Sequence, residues 1–306
     1  MKDLEKYWSH YWENDGKDGE VFVNSKGQKP DYIRAFWHSM LSDIGHDVSI
    51  LDLACGAGSI FEDLIYPAEK NISLIASDIS QSALDIVKRR VPSAKTVCCS
   101  CDDLPFENHS LDLIVSQFGI EYAGVSAFGE AVEKLAIGGR LVFLCHYQDG
   151  YIDQRNKAFL DGATLSIESE FIERASDLIS ASYSGIESRV RDAKNDFLKA
   201  EKLLADSLKE NPEGIHQHLY FGFKQLYLKM NAYNESDIQT WLSAMRDDIN
   251  KNIIKVSEIR KVSLDSDKID KVKSTMQESG AQDVMIDTLT IPESNNIVAW
   301  IITSTK

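Results

Sequence analysis

Apolar residues follow two different rhythms along this chain. Between residues 48 and 148, short apolar runs alternate with segments in which apolar positions recur every three or four residues. VSILDLAC is a run of the first kind, GSIFEDLI reads as the start of a helix, and SLIASDI is a second run. SQSALDIVKRRV then reads as a helix that Ser80 caps and that closes near Pro92. TVCCSC, LDLIVSQFG and GRLVFLCHY supply three more strands. VSAFGEAVEKLA predicts a helix that runs up to Gly138-Gly139 before the last of them. Strands separated by helices predict a parallel sheet covered on both faces.

From Tyr151 onward the rhythm is helical only. Val190, Ala193, Phe197, Ala200, Leu204 and Leu208 form one stripe, which Asn211-Pro212 and Gly214 interrupt. Leu219, Phe223, Leu226 and Met230 continue on a second helix. After the polar break NAYNES, a third carries Ile238, Trp241, Met245, Ile249, Ile253 and Val256. DKIDKVKSTMQESGAQ is again helical, and VMIDTLTI and NIVAWIITST close the chain as strands.

The fold class expected is therefore α/β: a doubly wound, mostly parallel seven-stranded sheet with a large all-helical insertion between strands five and six. Four segments follow. Residues 1–47 are an N-terminal helical and aromatic segment, 48–150 a Rossmann-like core, 151–262 the helical insertion, and 263–306 the completion of the sheet. There is no internal repeat or low-complexity tract. Tyr7, Trp8, Tyr11 and Trp12 recur at helical spacing as one aromatic face. That face either packs as ordinary core or, with Phe36 and Trp37, closes over a ligand.

The chain has 306 residues, of which 43% are hydrophobic, enough to bury a sizeable core. Its 33 basic and 48 acidic residues leave a formal charge of −15, which repels phosphate backbones and anionic membrane surfaces; nucleic acid is not the expected partner. No stretch reaches the length and apolarity of a membrane span, and MKDLEKYWSHYWENDG has no apolar signal core, so a cytoplasmic protein is expected. The five cysteines, Cys55, Cys98, Cys99, Cys101 and Cys145, all fall in strand-like segments and suit reduced thiols. Alternation along a strand splits Cys98, Cys99 and Cys101 between faces, so no metal site is expected.

The candidate chemistry begins at Gly56-Ala57-Gly58, a turn between the first strand and first helix that lets a ligand approach backbone N–H groups. A dinucleotide fingerprint wants a third glycine three residues after Gly58, and that position is Phe61. Asp52, four residues before Gly56, weakens phosphate binding and suits a ligand that carries positive charge. Asp52-Leu53-Ala54-Cys55-Gly56-Ala57-Gly58 thus resembles the first motif of class I S-adenosylmethionine-dependent methyltransferases. The resemblance continues in Asp78 of LIASDIS, which stands where that family's second-strand acid accepts both ribose hydroxyls. It extends to Asp102-Asp103-Leu104-Pro105-Phe106, which looks like the adenine loop, although the usual acid position is Ser100. It covers roughly residues 45–150 and 265–306.

The resemblance implies S-adenosyl-L-methionine as cofactor. It implies contacts from Asp52, Ala54, Gly56, Gly58, Asp78, Ile79, Ser100, Cys101, Asp102 and Gln117. The activity implied is methyl transfer to a small-molecule acceptor at oxygen, nitrogen or carbon. A macromolecular methyltransferase acting on protein or tRNA, or an interaction protein that keeps the cofactor fold without catalysis, are the alternatives. Ligands of open α/β sheets lie at the carboxyl ends of the strands, so His146 is the candidate base and Glu121 a candidate substrate contact. The insertion is expected to cap the acceptor pocket or to form a homodimer.

Overall fold

The computed structural model describes residues 8–13, 16, 30–62 and 71–306. Tyr7 of the aromatic face lies outside the described residues. The chain divides into two compact units, one formed by Met1–Tyr151 with Val262–Lys306 and the other by Ile152–Lys261.

In the first unit, residues 8–13 are helical and α1 spans Asp31–Leu41. There follow β1 (Ser49–Leu53), α2 (Ser59–Glu62), β2 (Ser73–Asp78), α3 (Gln81–Arg90), β3 (Lys95–Cys98) and β4 (Leu111–Gln117). Next come α4 (Val125–Lys134) and β5 (Leu135–His146). After the helical unit the chain returns as α10 (Ser266–Glu278), β6 (Gln282–Thr290) and β7 (Ile297–Thr305). The seven strands lie in the order β3-β2-β1-β4-β5-β7-β6. Pairing is parallel from β3 through β5. It is antiparallel where β7 lies between β5 and β6.

Burial explains this order. Ile50, Leu51, Asp52 and Leu53 of β1 are all buried, as a central strand covered on both faces requires. The core on one face joins Leu51, Phe128, Leu141, Phe143, Val272 and Met276, with Phe128 and Phe143 edge to face at 5.7 Å. Each of these fully buried side chains contributes on the order of 1.5–3 kcal/mol. Ser80 caps α3 as expected, its hydroxyl accepting from the Ala83 N–H.

Two local expectations need correction. The helix α4 stops at Lys134, not at Gly138-Gly139, because Leu135 already pairs with Leu111 of β4 and is fully buried. Gly138 and Gly139 instead sit inside β5, where the register with β4 shifts between Leu111 and Leu113, and Gly138 (φ +83) donates to the Lys306 carbonyl. Only Cys98 and Cys145 lie in strands. Cys55, Cys99 and Cys101 lie in the loops that leave β1 and β3, where those strands stop and the carboxyl edge of the sheet opens.

The second unit contains α5 (Tyr151–Glu168, entering from the first unit), α6 (Phe171–Ser184), α7 (Glu187–Glu210), α8 (Ile215–Leu228) and α9 (Glu235–Val262, leaving into it). Its core centres on Phe171, Phe197 and Phe223, whose ring centroids lie 5.0–5.8 Å apart. Ile238, Leu242, Met245 and Ile249 of α9 complete it. Among the described residues no helix is long and apolar enough to cross a membrane.

Candidate functional site

The strand order reverses between β1 and β4, and their carboxyl ends frame a crevice. Ala54 after β1 (φ 49) and Phe118 after β4 (φ 56) both take left-handed backbone, a conformation that costs a non-glycine residue energy and is retained where the geometry matters. The two turns touch. A Cβ on Gly119 would lie 2.6 Å from the Ala54 Cβ and 2.8 Å from its carbonyl oxygen, so only glycine lets them approach. Outward from this contact lies a cavity of about 300 Å³.

One wall comes from β1 and β2. Asp78, buried at the end of β2, accepts the Gly56 N–H on Oδ2 at 2.9 Å and the Ser80 N–H on Oδ1 at 2.8 Å. Burial pushes its carboxyl up to about 6, against the lowering pull of the Ser80, Gly56 and Ile79 N–H donors. The carboxylate thereby holds the glycine turn in place and faces the cavity from the same position. Arg90 donates to the Ala57 carbonyl at 3.2 Å and anchors the turn from behind.

Cys55, Cys99 and Cys101 line the same wall. Burial, then the Asp78 carboxylate, raises the Cys55 and Cys101 thiols well above the ordinary range; burial takes Cys99 to about 11. All three are neutral near pH 7. A thiolate is the nucleophilic form of cysteine, so thiols held protonated can border an electrophilic ligand without consuming it.

The other wall comes from β4, β5 and the N-terminal aromatics. Gln117 is clamped at both ends: the Trp37 indole N–H donates to its Oε1 at 2.6 Å, and its Nε2 donates to Ser59 Oγ at 3.3 Å. The Trp12 ring lies against the glycine turn, so that a Cβ on Gly56 (φ +52) would fall 2.5 Å from Trp12 Cζ2. Trp8 packs edge to face on Tyr122 at 5.2 Å. His146, at the end of β5, lies 4.7 Å from the Phe118 ring and 6.3 Å from Tyr122. Behind it Glu121 is buried: its Oε1 accepts the His146 backbone N–H at 2.9 Å and lies 2.7 Å from Nδ1.

Of the residues nominated from sequence, Ala54, Gly56, Asp78, Ile79, Ser100, Cys101, Asp102, Gln117 and His146 lie on the cavity wall. Asp52, Gly58 and Glu121 do not. Asp52 is buried within β1, Gly58 packs on Val87, and Glu121 reaches the wall only through His146. Ser100 donates its hydroxyl to the Asp102 carboxylate, which joins the two candidates for the adenine loop. Tyr122, which with Gln117 and Glu121 follows strand four as a site candidate, is on the wall too, and Cys55, Phe118 and Gly119 line the cavity without having been nominated as ligand contacts. Of these, Phe118-Gly119 alone left a signal, a glycine directly after a strand.

The described lining includes no Lys or Arg, and Asp78 and Asp102 are its carboxylates. That charge balance fits a cationic sulfonium carrying a ribose diol and rejects a pyrophosphate. Among the described residues no group of three or more His, Cys, Asp or Glu is placed to hold a metal ion.

Residues 50–139 match the family described as a methyltransferase domain. The ubiquinone/menaquinone biosynthesis C-methyltransferase of Campylobacter jejuni is 32% identical over 107 residues, covering 32% of this chain and 44% of its own. The demethylmenaquinone methyltransferase of Paenarthrobacter aurescens is 31% identical over 122 residues, covering 39% of this chain and 46% of its own. Among solved structures, a putative S-adenosyl-L-methionine-dependent methyltransferase from Methanococcus maripaludis covers 100% of this chain and 91% of its own at 12% identity and a TM-score of 0.42. The chain spans somewhat under half the length of these two curated relatives. The segment that contains the glycine turn and Asp78 is a class I S-adenosylmethionine-dependent methyltransferase domain.

Proposed function

We propose that this chain, with its class I methyltransferase domain, transfers a methyl group from S-adenosylmethionine to a small-molecule acceptor. The observation that carries this reading is Asp78: one buried carboxylate orders the glycine turn and presents itself to a cavity whose charge suits a cation. Asp78 would accept from both ribose hydroxyls, Asp102 or Ser100 from the adenine amino group, and the Gly56 turn would give the methionine end access to backbone. When bound, the sulfonium supplies an activated methyl group. The protein's task is then to hold an acceptor in line with it and to exclude water.

The named relatives support a finer reading, methyl transfer to a carbon of a quinone-type acceptor. The ring-lined wall of Trp8, Phe118, Tyr122 and His146 suits a flat molecule of that kind. We assign the helical unit to acceptor selection, because the chain leaves the sheet just after His146 and returns at Leu264, whose N–H donates to the His146 carbonyl.

Calorimetric titration of the whole chain with S-adenosylmethionine and S-adenosylhomocysteine tests the first reading: micromolar binding of both is expected, and no binding would leave the interaction-protein alternative standing. Replacing residues 152–261 by a short Gly/Ser linker should keep cofactor affinity within about tenfold, or ~1.4 kcal/mol, and abolish turnover. Full turnover by the folded, shortened protein would end the assignment of acceptor selection to the helices.

A further inference from the structure

We propose that Glu121 and His146 work as a positioned base that deprotonates an uncharged, flat acceptor bearing an acidic O–H, a phenol or hydroquinone, so that the acceptor is methylated as its anion. This rests on the methyl-transfer reading above. Two independent features of the site carry it, the orientation of the pair and the chemistry of the wall around it.

The pair is built for direction. The Glu121 side chain is fully buried and that of His146 is 7% exposed. Glu121 Oε1 already accepts the His146 backbone N–H at 2.9 Å, so its 2.7 Å contact with Nδ1 runs the same way, with Nδ1–H as donor. The ring is thereby held with its lone pair on Nε2. No hydrogen bond from the described residues engages that nitrogen, and His146 forms part of the cavity wall. Glu121 Oε2 is buried without a hydrogen-bond partner. An imidazolium formed at His146 would therefore sit directly against a buried carboxylate. His146 is thus the base and Glu121 its positioning residue.

The wall selects what gives up the proton. Phe118 and Tyr122 flank the His146 ring, and Trp8 extends this aromatic wall by packing edge to face on Tyr122. With no Lys or Arg in the described lining, an acceptor that arrives as a carboxylate or phosphate meets no counter-charge and faces Asp78 and Asp102 instead. A neutral aromatic acceptor enters at lower cost, but a neutral phenol is a poor nucleophile. An amine attacks through the lone pair of its free base and can shed its ammonium proton to solvent before it binds, so it does not require a buried base.

The balance is simple. The O–H proton moves to Nε2 and leaves an imidazolium against the Glu121 carboxylate. The phenolate supplies the electron pair of the new bond to the methyl carbon, from oxygen or from the ring carbon beside it, while the old methyl–sulfur bond breaks with its pair staying on sulfur. For attack from carbon, the ring C–H proton then passes to water and aromaticity returns; in either case the imidazolium gives its proton to solvent when the product leaves.

The test has two parts. Ring ¹⁵N spectra of His146 in the wild-type chain should show Nδ1 protonated and Nε2 bare, a result that needs no variant. Methyl-label transfer would then be measured at pH 8 to hydroquinone, to 4-nitrocatechol, which is already ionised there, and to benzylamine. Wild type should methylate both phenols, the pre-ionised 4-nitrocatechol with the higher KM because the lining offers its charge no partner. Glu121→Gln should lose about 100-fold or more in kcat on hydroquinone and less than threefold on 4-nitrocatechol, with the ring tautomer redistributed and cofactor affinity by calorimetry unchanged within twofold. Equal losses on both phenols, a wild-type ring protonated on Nε2, or methylation of benzylamine with neither phenol accepted would each overturn the proposal. So would cofactor binding with no phenol accepted. Absence of cofactor binding in wild type would instead overturn the methyltransferase reading beneath it.

Discussion

The two walls of the cavity are made in different ways. The β1–β2 wall is largely backbone: the left-handed turn through Gly56 and Gly58 is fastened by one carboxylate, Asp78. The β4–β5 wall is made of side chains drawn from distant positions, with Trp8 packed on Tyr122, Phe118 against His146, and Glu121 behind His146. Backbone contacts constrain residue type tightly, because a glycine at positive φ or an acid beneath N–H groups has few substitutes. A ring-lined surface tolerates many sequences. The first wall suits a ligand common to many enzymes, and the second suits one that differs among them.

The contrast breaks most sharply at Gly56. Gly56→Val places a branched side chain at φ +52 and against the Trp12 ring, and should weaken S-adenosylmethionine binding by at least 100-fold while circular dichroism shows a folded chain. Adding Trp12→Ala relieves the steric part alone. If that double variant recovers full affinity, the turn's backbone conformation is not what binds.

Asp78→Ala should cost about 2 kcal/mol of cofactor affinity, roughly thirtyfold by calorimetry, since a buried diol loses its charged acceptor. Unchanged affinity in a folded variant would remove Asp78 from the site.

The same residue sets a pH dependence. Because its carboxyl ionises near 6, cofactor affinity should fall about tenfold per pH unit below that value, and Asp78→Asn should flatten the curve. Stability moves the other way. The native carboxyl holds its proton more tightly than the unfolded chain, whose value is near 3.8. This group's contribution to folding is therefore greatest below that value and declines as pH rises to about 6. Denaturant midpoints across that window separate the two effects.

The smallest expected effect is on the second wall's support. Trp37→Phe removes the 2.6 Å hydrogen bond to Gln117 and should cost about 1 kcal/mol of stability, visible as a shift in urea midpoint. It should leave cofactor affinity within about twofold.

The same division explains what was legible in the sequence. The acid-to-glycine spacing from Asp52 to Gly58, the acid at the end of β2 and the alternation of strands and helices are local patterns, and each led to its element in the fold. The helical stripes of α7, α8 and α9 were equally plain. Helices α5 and α6 were not singled out, and α5 buries small residues, Gly162, Ala163 and Ser166, which leave a weak apolar stripe. The Glu121–His146 contact spans 25 positions and that of Trp8 with Tyr122 many more. No periodicity connects residues that meet only after the sheet has closed. Gly138-Gly139 misled for the converse reason: a glycine pair looks the same in sequence at a helix end and at a sheet irregularity, and only pairing across the sheet distinguishes them.

The antiparallel strand β7 gives the molecule a schedule. Ala299 pairs with His146, so β5 is synthesised 153 residues before the strand that covers its free side. At ordinary translation rates of about 5–20 residues per second, that edge waits roughly 8–30 s for its partner. During the wait the ribosome produces the helical unit, whose close-range contacts form rapidly, while an apolar strand edge stays open to pairing with other chains. The catalytic candidate at the tip of β5 is thus among the last parts of the molecule to acquire its final surroundings, and the nascent chain is most exposed to misassembly while the helices are being made.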